Sequence, residues 1–214
     1  TVYLALPDGI AVSIDRGQKW ERRENGLPDR GKYTQTIETD REIAGRVLAG
    51  CEKGIFLTED SGQSWRQVLP TETTVNDLEQ SPHDADHWLA VTDTYGAWQS
   101  TDGGDSWRQI ESLPAEEAIY NATYDPTDAK RQAIASWAYG VWASEDGGET
   151  WTERNRGLPD GARAWRVGVD PNSGRLYASI FQETLYCSDD FGRTWQPDAM
   201  EGSSVNAFLS VSRD

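Results

Sequence analysis

The chain has 214 residues, with 36 acidic against 20 Lys and Arg, and a formal net charge of −16. That balance excludes a nucleic-acid binder, which needs a basic face for phosphate, and it disfavours anionic membranes. Ten tryptophans compensate for an apolar content of only 36%, no apolar run reaches the length of a membrane span, and no apolar h-region opens the chain.

In chain order, the first run is VYLAL (Val2–Leu6), followed by GIAVS and the octet SIDRGQKW at residues 13–20. The octet returns as TEDSGQSW (58–65), STDGGDSW (100–107), SEDGGETW (144–151) and SDDFGRTW (188–195). Its closing residues Trp20, Trp65, Trp107, Trp151 and Trp195 recur every 42 to 45 residues. A fixed period of this size marks an array of supersecondary units.

Each unit divides into four short strand-like runs separated by Gly, Asp and Pro turns, which points to an all-β array and not to βαβ units. The first runs are YTQTIE (from Tyr33), TVNDLE (from Thr74), AIYNATY (118–124) and ARAWRVGV (from Ala162). The second runs align as VYLAL, VLAGC, WLAVT, AIASW and LYASI, and the third as GIAVS, GIFLT, GAWQS, GVWAS and TLYCS. Apolar residues fill both alternating faces, as strands sandwiched between neighbouring sheets require. On this reading Trp88, Trp98 and Trp142 pack between sheets.

The octets fall between third and fourth strands, where a hairpin must turn. Asp15, Asp60, Asp102, Asp146 and Asp190 can accept backbone N–H groups of that turn. Gly17, Gly62, Gly104, Gly148 and Gly192 supply the positive φ that a tight hairpin needs. The leading Ser or Thr offers its hydroxyl to the loop, and each Trp is expected to bury its ring between sheets. One carboxylate per octet is too few for a calcium loop, so no metal is expected. His83 and His87 lie in a Pro-containing connection, not on a helix, and their spacing does not make a metal site either. Cys51 and Cys187 have no metal spacing and are expected to be free thiols.

The octets resemble Asp-boxes, or BNR repeats, of the sialidase, sortilin and xyloglucanase type; photosystem II assembly factors carry related repeats. The resemblance covers the whole chain and implies a β-propeller with its boxes on the rim of the face away from the ligand. The expected fold is therefore an all-β, five-bladed propeller of four-stranded antiparallel blades, formed by residues 1–214 as one domain. Its blades are 203–214 with 1–24, 33–70, 73–114, 117–159 and 162–200. The last run, SSVNAFLSV (203–211), aligns with the first strands, so it is expected to complete the N-terminal blade and close the ring.

The loops opposite the boxes join strands 2 to 3 and lead from strand 4 to the next strand 1. They carry Tyr95, Trp137, Tyr139 and Phe181, a stacking platform for sugar rings or an anchor for a protein partner. Trp137 and Tyr139 either stand at the hairpin tips or fold back over the blades. Trp165 and Tyr120 share a first-strand column with Gln35, Asn76 and Asn206. The next column holds Thr36, Asp77, Asn121, Arg166 and Ala207. Those polar groups either converge on a ligand or hold channel water.

Sialidases need an arginine triad, and here the first strands offer Arg166, with Arg163 beside it, from one blade only. The motif [FY]-R-[IVL]-P is absent. A simpler glycosidase needs two carboxylates across a cleft, for which Asp77, Glu79 and Glu38 are the acids available. No GxSxG, P-loop or dinucleotide fingerprint occurs. The leading expectation is a monomeric, non-catalytic recognition propeller without cofactor. It binds a glycan or protein segment through Tyr95, Trp137, Tyr139, Phe181, Trp165, Arg166, Asp77 and Asn121. The alternatives are a glycoside hydrolase or lyase using the axial carboxylates, and an acidic scaffold for a protein partner. The compartment stays open.

Overall fold

The computed structural model describes residues 1–203 and 205–207. The described chain is all strand, turn and loop, and falls into two compact units. The first comprises Thr1–Asp93 and Ala97–Gln109; the second comprises Thr94–Gly96 and the chain from Ile110 onward.

The first unit holds three antiparallel sheets. One has the order β1 (Val2–Leu6), β2 (Gly9–Ser13), β3 (Glu21–Arg22). The next is β4 (Thr34–Thr39), β5 (Val47–Cys51), β6 (Gly54–Thr58), β7 (Arg66–Pro70). The third is β8 (Val75–Gln80), β9 (Trp88–Thr92), β10 (Ala97–Ser100), β11 (Arg108–Gln109). The second unit holds two more: β12 (Ile119–Tyr124), β13 (Gln132–Ser136), β14 (Gly140–Ser144), β15 (Thr152–Glu153); then β16 (Ala164–Val169), β17 (Leu176–Ile180), β18 (Leu185–Ser188), β19 (Gln196–Ala199). Five antiparallel meanders of this kind fit the five blades of a propeller.

The central strands are buried from end to end: β2, β5, β6, β9 and β13 have no residue outside the core. The apolar pattern on both faces is thus satisfied by sheets packing on each side. In the first unit, Leu48, Ile55, Leu57, Val75, Leu78 and Trp88 form one cluster, with Trp98 packed against it. In the second, Ala133, Val141, Val167, Leu176, Ile180 and Trp195 belong to another. Cys51 and Cys187 are both buried and free, and burial pushes the Cys51 thiol up to about 11.

β1 departs from the expectation for second strands. Val2 and Leu4 are exposed, because among the described residues β1 is the edge of a three-stranded sheet. The strand expected to complete that blade, residues 203–211, lies largely outside the described residues.

All five octets share one geometry. The Ser or Thr hydroxyl donates to the Asp carboxylate at 2.7–2.8 Å and accepts the Gly N–H at 2.7–2.9 Å. The same carboxylate accepts the N–H of the residue before the Trp, for instance Ser64 at 2.9 Å and Thr150 at 2.9 Å. Hydrogen bonds from Ser64 and Thr150 hold the Asp60 and Asp146 carboxyls down at about 2. The Gly φ lies between 82° and 90°, and the residue before it is also left-handed, the signature of a type I′ turn.

The tryptophans divide. Trp65, Trp151 and Trp195 are buried, and the indole N–H of Trp65 and of Trp195 donates to Arg23 O and Arg154 O of the preceding sheet. Trp20 corrects the expectation of uniform burial: it is 41% exposed and bonds only Gly17 O of its own box. Among the described residues no earlier sheet of its unit covers it.

Candidate functional site

The site begins with a backbone irregularity. Four first strands, β4, β8, β12 and β16, each shift register near their start, between Thr34 and Thr36, Val75 and Asp77, Ile119 and Asn121, and Ala164 and Arg166. The residues passed over are Gln35, Asn76, Tyr120 and Trp165. A bulge leaves its extra residue unpaired and re-aims the side chain. The column recognised in sequence is therefore the bulge column, and the polar column that follows it is where pairing resumes.

In the second unit this device gathers rings. Tyr120 and Trp165, from adjacent first strands, lie 4.6 Å apart between centroids. Trp137, at the β13–β14 hairpin tip, meets Tyr120 edge-on at 5.7 Å and Trp165 at 5.9 Å. Phe181, at the β17–β18 tip, lies 5.0 Å from Trp137. The tips are tied to their own first strands: Trp137 N–H donates to Ala118 O at 2.9 Å, and Phe181 N–H to Arg163 O at 2.9 Å. All four rings are half-buried, so each packs through part of its surface and leaves the rest open. Separations of this order contribute about 0.5–1.5 kcal/mol per pair beyond area burial.

Two guanidiniums complete the cluster. Arg166 reaches across first strands, its Nε donating to Asn206 O at 2.9 Å and its Nη1 to Trp165 O at 3.0 Å and Tyr120 O at 3.3 Å. Asn121 joins the same strands, its Oδ1 accepting Val167 N–H at 2.7 Å. Arg163 lies over both Trp137, at 5.1 Å, and Phe181, at 5.0 Å. Sequence reading named Arg163 only beside Arg166, as too few arginines for a sialidase-type triad. The signal lay in the hairpin register: Ala164 pairs with Ile180, which sets Arg163 opposite Phe181.

The other aromatic candidates go elsewhere. Tyr139 lines a separate recess with Asn155, Leu158 and Pro159, and its carbonyl accepts Asn155 Nδ2 at 2.9 Å. Tyr95 is 51% exposed on the Thr94–Gly96 tip, in a left-handed conformation (φ 74°), with its N–H donating to Ala115 O at 2.8 Å.

Asp77 belongs to the first unit, where the same columns gather acids. Glu38 on β4 and Asp77 and Glu79 on β8 interact electrostatically. Burial, reinforced by the Asp77 charge and opposed by Arg41, pushes the Glu38 carboxyl up to about 7. Burial first, then Asp77 and Glu38, pushes Glu79 well above the usual carboxylate range. Among the described residues no three His, Cys, Asp or Glu side chains converge as a metal would require. Burial and neighbouring charge thus favour the protonated forms of Glu38 and Glu79.

Comparison with known proteins bears on the fold. The BNR/Asp-box repeat family model matches residues 186–197, within the last sheet. No curated protein sequence matches the chain. Among solved structures, an ancestral GH74 enzyme superposes with a TM-score of 0.80 at 17% identity, over 92% of this chain and 29% of its own. The GH74 xyloglucanase from Xanthomonas campestris gives 0.73 at 17% identity, over 94% of this chain and 37% of its own. YCF48 bound to D1 peptide gives 0.63 at 20% identity, over 88% and 61%. The chain thus spans about a third of the length of the GH74 enzymes it resembles. Repeat, box geometry and fold are thus consistent with a BNR-type propeller, the family model matching one box and the solved structures the β-propeller fold.

Proposed function

We propose that the second unit recognises a glycan or a peptide segment, without chemistry, through the face opposite its Asp-boxes. The observation that carries this reading is the contact between four half-buried rings, two aimed by bulges and two delivered by hairpin tips. Aromatic groups packed mainly on one another and left partly open supply flat apolar area at small entropic cost, which suits stacking against a sugar ring or an apolar side chain. A propeller fold does not specify a ligand, although a solved relative of the fold holds a peptide. A glycan array with the intact chain and Trp137→Ala tests the reading. Binding that disappears in the variant supports it; binding indifferent to Trp137→Ala, Tyr120→Ala and Phe181→Ala removes the site.

A second reading is favoured by one observation, the raised carboxyls of Glu38 and Glu79 beside Asp77. A carboxylic acid with a raised pKa beside a second carboxyl group is the arrangement a glycoside hydrolase or lyase uses. Reducing-end release from a polysaccharide panel, lost in Glu38→Gln or Glu79→Gln and in Asp77→Asn, is its test. We also propose that residues 1–214 form one ring, closed by residues 203–211 pairing with β1. The exposed edge at Val2 and Leu4 motivates this, and deletion of residues 203–214 should then lower the thermal midpoint sharply.

A further inference from the structure

We infer that the ring cluster of the second unit takes a glycan carrying an isolated carboxylate, a uronic acid, and that Arg163 is the group that binds the carboxylate. The inference rests on the recognition reading above and narrows its ligand.

The arginines of the second unit differ in what they face. Arg154 and Arg193 meet Glu145 at 2.8 and 2.7 Å, with Arg131 at 3.6 Å from the same residue. Arg175 meets Asp189 at 2.7 Å. Arg166 is spent on backbone carbonyls. Arg163, in a chain with 36 carboxylate side chains, has no ion pair among the described residues, like the exposed Arg156, and is set apart from it by two ring contacts. Arg163 is exposed, and its guanidinium carbon lies 5.1 Å from the Trp137 ring centre and 5.0 Å from that of Phe181, beside two rings that are themselves 5.0 Å apart. A planar guanidinium fixed by stacking keeps its hydrogen-bond fork open and loses little freedom on engaging a carboxylate. The rings on which a sugar would rest lie beside it.

The backbone favours a sugar acid over an extended peptide. A peptide joining a sheet edge needs free backbone groups along it. On β12 and β16 the groups nearest the rings are occupied by side chains: Tyr120 O and Trp165 O by Arg166, and Val167 N–H by Asn121. Recognition is left to ring faces and one fork. The net charge of −16 sets the number of carboxylates, because a polyanion is repelled by the rest of the surface, whereas a single carboxylate within about 8 Å of Arg163 feels mainly that local charge.

The probe is xylotetraose bearing one glucuronic acid branch, compared by calorimetry with the same compound whose carboxyl has been reduced to the alcohol. Wild type should bind the acid at least tenfold more tightly than the reduced form. Arg163→Ala should erase that difference, Arg163→Lys should restore part of it, and Trp137→Ala should weaken both compounds. Near-UV circular dichroism establishes that each variant retains the native environment of its tryptophans. Equal binding of acid and alcohol, with Arg163→Ala silent and Trp137→Ala still damaging, overturns the uronate inference while leaving the recognition face in place. Failure to bind either compound overturns it too, as does preference for a peptide ending in a free carboxylate; the recognition reading is then decided by the array alone.

Discussion

On the bulged first strands of the first unit, β4 and β8 present Gln35 and Asn76, then Thr36 and Asp77, with Glu38 and Glu79 two residues further on. On those of the second, β12 and β16 present Tyr120 and Trp165, then Asn121 and Arg166. The backbone device is the same and the chemistry is opposite. Rings and stacked guanidiniums gain by being together, at about 0.5–1.5 kcal/mol per ring pair and about 0.5–1 kcal/mol per exposed cation–π contact. Carboxyls forced together do not: Glu38 and Glu79 are driven toward their neutral forms by burial and by their neighbours' charge. One repeat thus builds a region that adds stability and a region that costs it at neutral pH.

The comparison requires that the frame beneath the two regions be equivalent. Gly26 and Gly157 test this with the largest effect. Each follows a fourth strand with φ near +95° (+94° and +98°), and a Cβ there would meet Trp65 O at 1.9 Å and Trp195 O at 2.3 Å. Those tryptophans in turn donate their backbone N–H groups to Asn25 O and Arg156 O. Gly26→Ala and Gly157→Ala should each cost more than about 3 kcal/mol in urea unfolding. A large cost in one and a small one in the other would break the equivalence of the two frames.

Next in size is Trp165→Ala, which removes a half-buried indole from contact with Tyr120 and Trp137. The expected loss is about 2–3 kcal/mol, unchanged between pH 5 and pH 8, because no titration of a carboxyl enters it.

Glu38→Gln should act with the opposite sign and with pH dependence. The Glu38 carboxyl sits near its model value of 4.5 when unfolded and at about 7 when folded, so the folded state binds more protons between those values. Stability is fully present below about pH 4.5, falls as pH rises toward 7, and stays reduced above it. The amide has no proton to lose. Glu38→Gln should therefore stabilise the protein by about 1–3 kcal/mol at pH 8 and change little at pH 4. A stabilisation equal at both values would mean that packing, not charge, is relieved.

The sequence carried the sheets and boxes of the frame, and the sites in part, for physical reasons that differ by residue. Asp15, Gly17 and their counterparts are local: a hairpin of fixed geometry needs a carboxylate and a left-handed residue at fixed offsets, so the octet is legible without the fold. The acid group was legible as well, since Glu38, Asp77 and Glu79 align on first strands that the repeat makes neighbours. Tyr120 and Trp165 were placed in one column, but the bulge that aims them leaves no residue signature, because the four residues it passes over are Gln, Asn, Tyr and Trp. Tyr139 shares a hairpin with Trp137 and yet turns to a different recess, a choice made by packing and not by spacing. Arg163 was readable only as a companion of Arg166 in an incomplete arginine triad, since its ring contacts depend on two hairpins that the spacing does not bring together.

The smallest effect expected on stability is the one that sharpens the comparison most. Arg163 is exposed, lies over Trp137 and Phe181, and has no ion pair among the described residues. Arg163→Ala, which removes two exposed cation–π contacts, should therefore cost about 1–2 kcal/mol at most in thermal or urea unfolding. A residue this weakly coupled to the fold contributes chiefly through what it faces, so the same substitution should remove the preference for the acidic sugar while the melting curve moves little. Were Arg163→Ala to cost as much as Trp165→Ala, the guanidinium would be a structural member of the ring cluster.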